Sequence, residues 1–112
     1  MELDLFENTL PVEQKKITAE VCAHHLWFTD KDYEKLGSKI KWNPAIKSKS
    51  DKDSLWKAIK EDKIDIIASD HAPHTETEKE NSYFNCPSGG PMVQHTIISL
   101  LDESPKHGVN IE

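Results

Sequence analysis

The residues best able to do chemistry stand together in Ile64 to Thr75, reading I-D-I-I-A-S-D-H-A-P-H-T. One carboxylate, Asp70, is followed by the imidazoles of His71 and His74, one and four residues later. Such a set can carry protons near neutral pH or ligate a divalent cation. It can equally be a turn, because Asp and Ser close strands by hydrogen-bonding to nearby backbone. The local pattern leaves both readings open.

Stepping outward, the apolar run of Ile64, Ile66 and Ile67 ends abruptly in Ala68, Ser69 and Asp70. A buried parallel strand whose C-terminal end opens into a site has this form. Alternation by two puts Ile64, Ile66, Ala68 and Asp70 on one face, so the carboxylate should arrive beside a buried apolar column. Pro73 bars a simple continuation and shapes the loop carrying His74. Upstream, Ile17 to Cys22 predicts a first strand, with Glu20, Cys22 and His24 on one face if it stays regular.

Between and around the strands the pattern is helical. Glu2 to Asn8 predicts a helix end with Leu3, Leu5 and Phe6 as its apolar side, and Thr9 to Gln14 a loop broken by Pro11. Thr29 should cap a short helix over Asp30 to Leu36, stopped by Gly37. Lys39 to Trp42 is a strand or an extended loop, ended by Asn43-Pro44. Ser50 should open the next helix, whose Leu55, Trp56 and Ile59 form a packing stripe. Glu76 to Cys86 predicts a polar, mobile loop. Gly89, Gly90 and Pro91 precede a helix over Met92 to Asp102 with a wide apolar face, and Pro105 to Glu112 a frayed tail. Alternation of strand and helix implies α/β architecture with parallel strands. Two parallel strands alone leave their faces uncovered, which points to a larger sheet.

Composition narrows the function class. The 112 residues suit one domain, and a net charge of −6 with scattered lysines argues against a nucleic-acid partner. No apolar run approaches the roughly 20 residues of a membrane span. The start, M-E-L-D-L-F-E, is acidic where a signal peptide is basic. Cys22 and Cys86 are too far apart for a zinc-ribbon or thioredoxin motif. A single disulfide stays open beside the reduced, cytoplasmic reading.

The longer strings carry a resemblance. D-H-A-P-H-T, followed by P-S-G-G-P, resembles the last barrel strand and substrate loop of the dihydroorotases in the zinc amidohydrolase superfamily. I-T-A-E-V-C-A-H-H-L is similar to their seventh strand, where a Pro often stands at the position of Ala23. K-W-N-P-A-I-K-S resembles the next substrate loop, although many relatives have Arg in place of Lys47. Allantoinases and hydantoinases differ after the Asp. The resemblance implies a single partial domain over residues 1–112, the last two or so β/α units of a TIM-type (β/α)8 barrel, incomplete on its N-terminal side. Its implied reaction is opening or closing of dihydroorotate, to or from N-carbamoyl-L-aspartate, on two Zn2+ ions.

The same resemblance implies roles. Asp70 would be a metal ligand and the general base and acid. Asn43 and His74 would bind the substrate's carboxylate and ring, and Ser88 and Gly89 would offer backbone contacts to the ring amide. Glu20 matches a position implicated in an additional metal site in some relatives. His24 and His25 should pack and hydrogen-bond beneath the site, His71 should buttress Asp70, His95 should be a satisfied core or interface residue, and His107 belongs to the tail. The first-strand H-x-H pair, the bridging carboxylate and two metal-binding histidines have no counterpart in this stretch. Expectation is thus a small-molecule substrate, no nucleic acid and no membrane, with a homo-oligomeric parent open and the 112-residue chain inactive alone. A non-catalytic scaffold or binding subunit, and an allantoinase or hydantoinase, are the alternatives.

Overall fold

The computed structural model describes residues 2–111; Met1 and Glu112, the outer ends of the expected domain and tail, lie outside the described residues. Its centre is a parallel pair, β1 (Glu20–Cys22) and β2 (Ile66–Ala68), in the register Glu20↔Ile66, Val21↔Ile67, Cys22↔Ala68. Both strands are shorter than their apolar runs. Below the pair, side-chain bonds join the backbone ones: Asp65 accepts from Lys15 Nζ at 2.5 Å and from the Ala19 amide at 2.9 Å, while its own amide donates to the Ala19 carbonyl. Above it, the chain leaves β1 directly into helix α1 (Ala23–Trp27), so His24 belongs to a helix and not to the strand face expected for it. Asp70 likewise leaves the strand, with φ of 45°, so alternation does not reach it. The expected buried column is corrected as well: Ile66 is 45% exposed.

Two apolar clusters hold the rest. Ala23, Ile40, Trp42, Ile46 and Met92 form one, flanked by Phe28 and Tyr33. Val21, Leu26, Trp56 and Leu100 form the other, with Leu55, Ile59, Ile64, Ile67 and Val109 packed on it. The Leu55, Trp56 and Ile59 stripe lies on α3 (Lys49–Lys60) and packs as its spacing implies. Trp56 also donates Nε1–H to the Leu26 carbonyl at 3.1 Å. Ser48 caps α3, not Ser50, because its hydroxyl and backbone pair reciprocally with Asp51.

Several other boundaries move. Thr29 does cap its helix, its amide donating to Asp32 at 2.7 Å, but the first turn is 3-10 and α2 proper is Tyr33–Leu36. After Gly37 the chain makes another 3-10 turn to Ile40, not a strand. The expected loop after Thr75 contains α4 (Glu76–Lys79), capped by the Thr75–Glu78 pair. The last α-helix, α5, spans Thr96–Glu103, later than expected. Glu2–Leu5 is a 3-10 turn, and Leu5 is exposed. The tail is not frayed through its described length: Ser104–His107 forms a 3-10 turn, and His107 stacks on Trp56 at 4.8 Å. Cys22 and Cys86 are both free. No helix among the described residues is long and apolar enough to cross a membrane.

Candidate functional site

Asp70 stands two residues beyond β2, at the C-terminal end of the parallel pair, with a side chain 47% exposed. Its left-handed backbone turns the carboxylate out of the strand, an orientation that Asp tolerates better than most residues. The imidazole of His24 approaches it, with Nε2 3.9 Å from Oδ2. That contact is not an ion pair at neutral pH. Burial, and then the neighbouring His25, hold the His24 pKa down at about 3. His24 is fully buried, stacks on Trp42 at 4.4 Å, and neither of its ring nitrogens has a partner. It packs as a buried ring, but the hydrogen bonding expected of it is not made.

His25 is partly buried and sets Nε2 3.0 Å from the Pro44 carbonyl, which ties α1 to the segment carrying Asn43. Burial lowers its pKa too, against the raising effect of that hydrogen bond. Cys22 lies beside both histidines; burial, then Asp70 and Glu20, push its thiol up. Glu20 is exposed on β1 and faces an open cleft with Cys22, His25, Pro44 and Lys47. Asn43 is exposed at the start of that segment.

The loop beyond Asp70 folds back on itself. His74 Nε2 is 3.1 Å from the Ser88 carbonyl, and Nδ1 is 3.9 Å from Glu78. The Gly89 amide donates to the Lys41 carbonyl at 2.9 Å, so that donor is engaged by protein and not turned to a ring amide. Only glycine fits there: φ is 119°, and a Cβ would sit 2.6 Å from the Ala72 carbonyl oxygen. His71 does not buttress Asp70 as expected. Its Nδ1 accepts from the Val93 amide at 3.1 Å, pinning the turn before α5, while its backbone bridges to Gly90. His95 is exposed, not a core residue.

Sequence reasoning missed Lys79. Its ammonium is buried and donates to the carbonyls of Lys41, Pro87 and Gly89 at 3.3, 3.0 and 3.0 Å, and burial lowers its pKa. No local spacing announces a lysine that closes a loop on three carbonyls. The site is thus a free carboxylate at a strand tip, above a dry imidazole, beside a loop whose other polar groups bind one another.

Over 74 residues the chain is 42% identical to a dihydroorotase of Bacillus licheniformis, a match covering 66% of this chain and 17% of that protein. It is 42% identical over 94 residues to a dihydroorotase of Bacillus caldolyticus, 84% of this chain and 22% of that one. With a dihydroorotase of Halobacterium salinarum the identity is 33% over 95 residues, 85% and 22% of the two chains. Among solved structures, a D-hydantoinase superposes with a TM-score of 0.74 at 25% identity, over 84% of this chain and 22% of that chain. A dihydropyrimidinase from Brevibacillus agri NCHU1002 superposes at 0.73 with 24% identity, over the same shares. No protein-family model matches the chain. The chain spans about a fifth of the length of the curated relatives it matches.

Proposed function

Starting from a chain that is homologous to dihydroorotases over most of its length, we propose that it forms the closing β/α units of a (β/α)8 amidohydrolase barrel. The barrel would act on a small cyclic amide, interconverting dihydroorotate and N-carbamoyl-L-aspartate. One observation carries this reading: the exposed carboxylate of Asp70 stands at the C-terminal end of a parallel strand, where such barrels build their active sites. That carboxylate is about half exposed, which leaves it open to a substrate.

Opening the ring adds water across an unactivated amide bond. Asp70 takes the proton that the attacking oxygen must lose, and delivers it to the ring nitrogen as the C–N bond breaks. Closing the ring reverses each transfer through the same carboxylate. Asn43, exposed beside the Pro44 anchor, and His74, held through Ser88, lie on the two loops that would orient the substrate's carboxylate and ring.

A two-zinc centre fits these residues in part. Asp70 offers one carboxylate oxygen toward it, whereas an ion normally takes three or four protein ligands, so the remaining donors must come from outside this stretch. Zinc bound there would polarise the amide carbonyl and ease deprotonation of the attacking water.

The test is Asp70→Asn in the complete protein that carries this stretch. Turnover of dihydroorotate should fall at least about 10²–10⁴-fold, the range for general acid–base catalysis, with the melting temperature unchanged. Near-normal turnover in the fully metallated variant would remove Asp70 from the mechanism. Asn43→Ala and His74→Ala should raise KM with metal content unchanged after dialysis; loss of zinc in either would move that residue into the metal shell. The superposition on D-hydantoinase supports a second reading, a hydantoin-type ring. Assaying both rings side by side separates the two.

A further inference from the structure

The corner where β1 becomes α1 carries a group of side chains that the ring chemistry does not use. Cys22, His24 and His25 each offer a ligand atom there, and the three atoms all lie within 4.8 Å of one another. The corner itself causes this: the strand stops at Cys22 and the helix starts at Ala23, which turns two consecutive imidazoles back toward the thiol. Three further observations point to a cation. Both ring nitrogens of the fully buried His24 lack partners, and a metal bond would satisfy one of them. His25 is already oriented as metal-binding imidazoles are, with Nε2 against the Pro44 carbonyl; donation there fixes the tautomer and leaves the Nδ1 lone pair free. Cys22 and His25 also line an open cleft of about 440 Å³, through which an ion can arrive from solvent.

We propose that Cys22, His24 and His25 form a binding site for one thiophilic divalent ion of the zinc class, separate from the two-zinc centre of the barrel. A thiolate with two imidazoles suits Zn2+ and Co2+ and disfavours Mg2+ and Ca2+, which take oxygen ligands. The three side chains leave the fourth position to a solvent oxygen arriving through the cleft. Tetrahedral zinc with bonds of about 2.0–2.3 Å holds its donors roughly 3.3–3.8 Å apart. Binding therefore closes the group by roughly 1 Å at its widest, which side-chain rotation on adjoining residues can supply. The site does not rest on the ring-opening reading, because none of the three residues has a role in that chemistry.

The reduced 112-residue chain is titrated with Co2+ as the spectroscopic probe and then with Zn2+. One equivalent should bind, with four-coordinate visible bands and a near-ultraviolet thiolate-to-cobalt band, both abolished by Zn2+. Cys22→Ser should lose the near-ultraviolet band and weaken Zn2+ binding at least about tenfold, and His25→Gln should weaken it similarly, each with an unchanged circular dichroism spectrum. These two variants are chosen because His24 stacks on Trp42 and its replacement risks the fold. The proposal is overturned by a wild-type complex without the thiolate band. Wild-type affinity in Cys22→Ser and His25→Gln overturns it too, as does equal binding by the chain in denaturing guanidinium. Turnover by Asp70 variants of the complete protein is measured separately, so failure here leaves the ring-opening reading untouched.

Discussion

The loop from Thr75 to Gly90 and the helix α5 are close in sequence and opposite in construction. The loop is mostly polar, although Phe84 is 92% and Tyr83 38% exposed, and several of its polar groups find partners inside the protein. Lys79 binds three carbonyls, Lys41 Nζ donates to the Tyr83 and Cys86 carbonyls at 2.7 Å each, and the Ser38 hydroxyl donates to the Lys79 carbonyl. Helix α5 is apolar, yet only part of it is covered. Thr96, Ser99 and Leu100 are buried, whereas Ile97, Ile98 and Leu101 are 63, 67 and 56% exposed. A polar loop can be complete by hydrogen bonding alone; an apolar helix is complete only when a second surface meets it. The loop is closed largely by hydrogen bonds within the chain, whereas Ile97, Ile98 and Leu101 leave part of α5 bare.

The largest expected effect bears on the ground beneath the loop face. His24 must be neutral there, with a pKa of about 3 against 6.5 when unfolded. The unfolded chain therefore binds more protons between those values, and stability, full above about pH 6.5, is lost as pH falls toward 3. Between pH 7 and pH 4 the loss should reach about 3 kcal/mol in metal-free protein. Denaturant midpoints across that range measure it, and His24→Phe, which keeps a ring on Trp42, should flatten the profile between pH 6.5 and 5. An equally steep profile in His24→Phe would assign the acid sensitivity elsewhere.

Next in size is Lys79→Met, which keeps the stem and removes the donors. The Pro87 and Gly89 carbonyls would lose their ammonium partner, for a destabilisation of about 2 kcal/mol. Hydrogen exchange should quicken at the Gly89 amide before it does in α3. Unchanged exchange and stability would mean that the loop is closed by something other than its lysine.

The smallest effect on stability should come from the exposed side of α5. Ile97→Lys with Leu101→Lys replaces side chains that already lie in solvent, so each should shift stability by no more than about 0.5 kcal/mol. The same pair should convert a self-associated chain into a monomer on sedimentation. A monomeric wild-type chain, or a loss above about 2 kcal/mol in the pair, would show that the α5 face is already covered.

Much of the frame was legible because it depends on neighbours along the chain. The parallel pair, the Thr29 cap and the packing stripe of Leu55, Trp56 and Ile59 follow from spacing and local hydrogen bonding. Asp70 beyond the end of a strand was legible for the same reason, although the face it takes was not. A positive φ at that residue breaks the alternation on which the face depended. Ser48 displaced Ser50 as cap because Asp51 is placed to complete a reciprocal pair with Ser48.

The sequence by itself determined which residues could bear chemistry, where apolar periodicity runs, and which family the strings D-H-A-P-H-T and K-W-N-P-A-I-K-S resemble. Tertiary structure decided what those residues touch. His71 reaches Val93, Lys79 reaches Pro87 and Gly89, and His107 reaches Trp56, each through folds of chain that no short-range period encodes. It also decided exposure, leaving Ile66 and α5 partly bare while sealing His24. The physical reason is range. Backbone sterics and capping act within about four residues, whereas burial and desolvation depend on whichever surface the whole fold brings near.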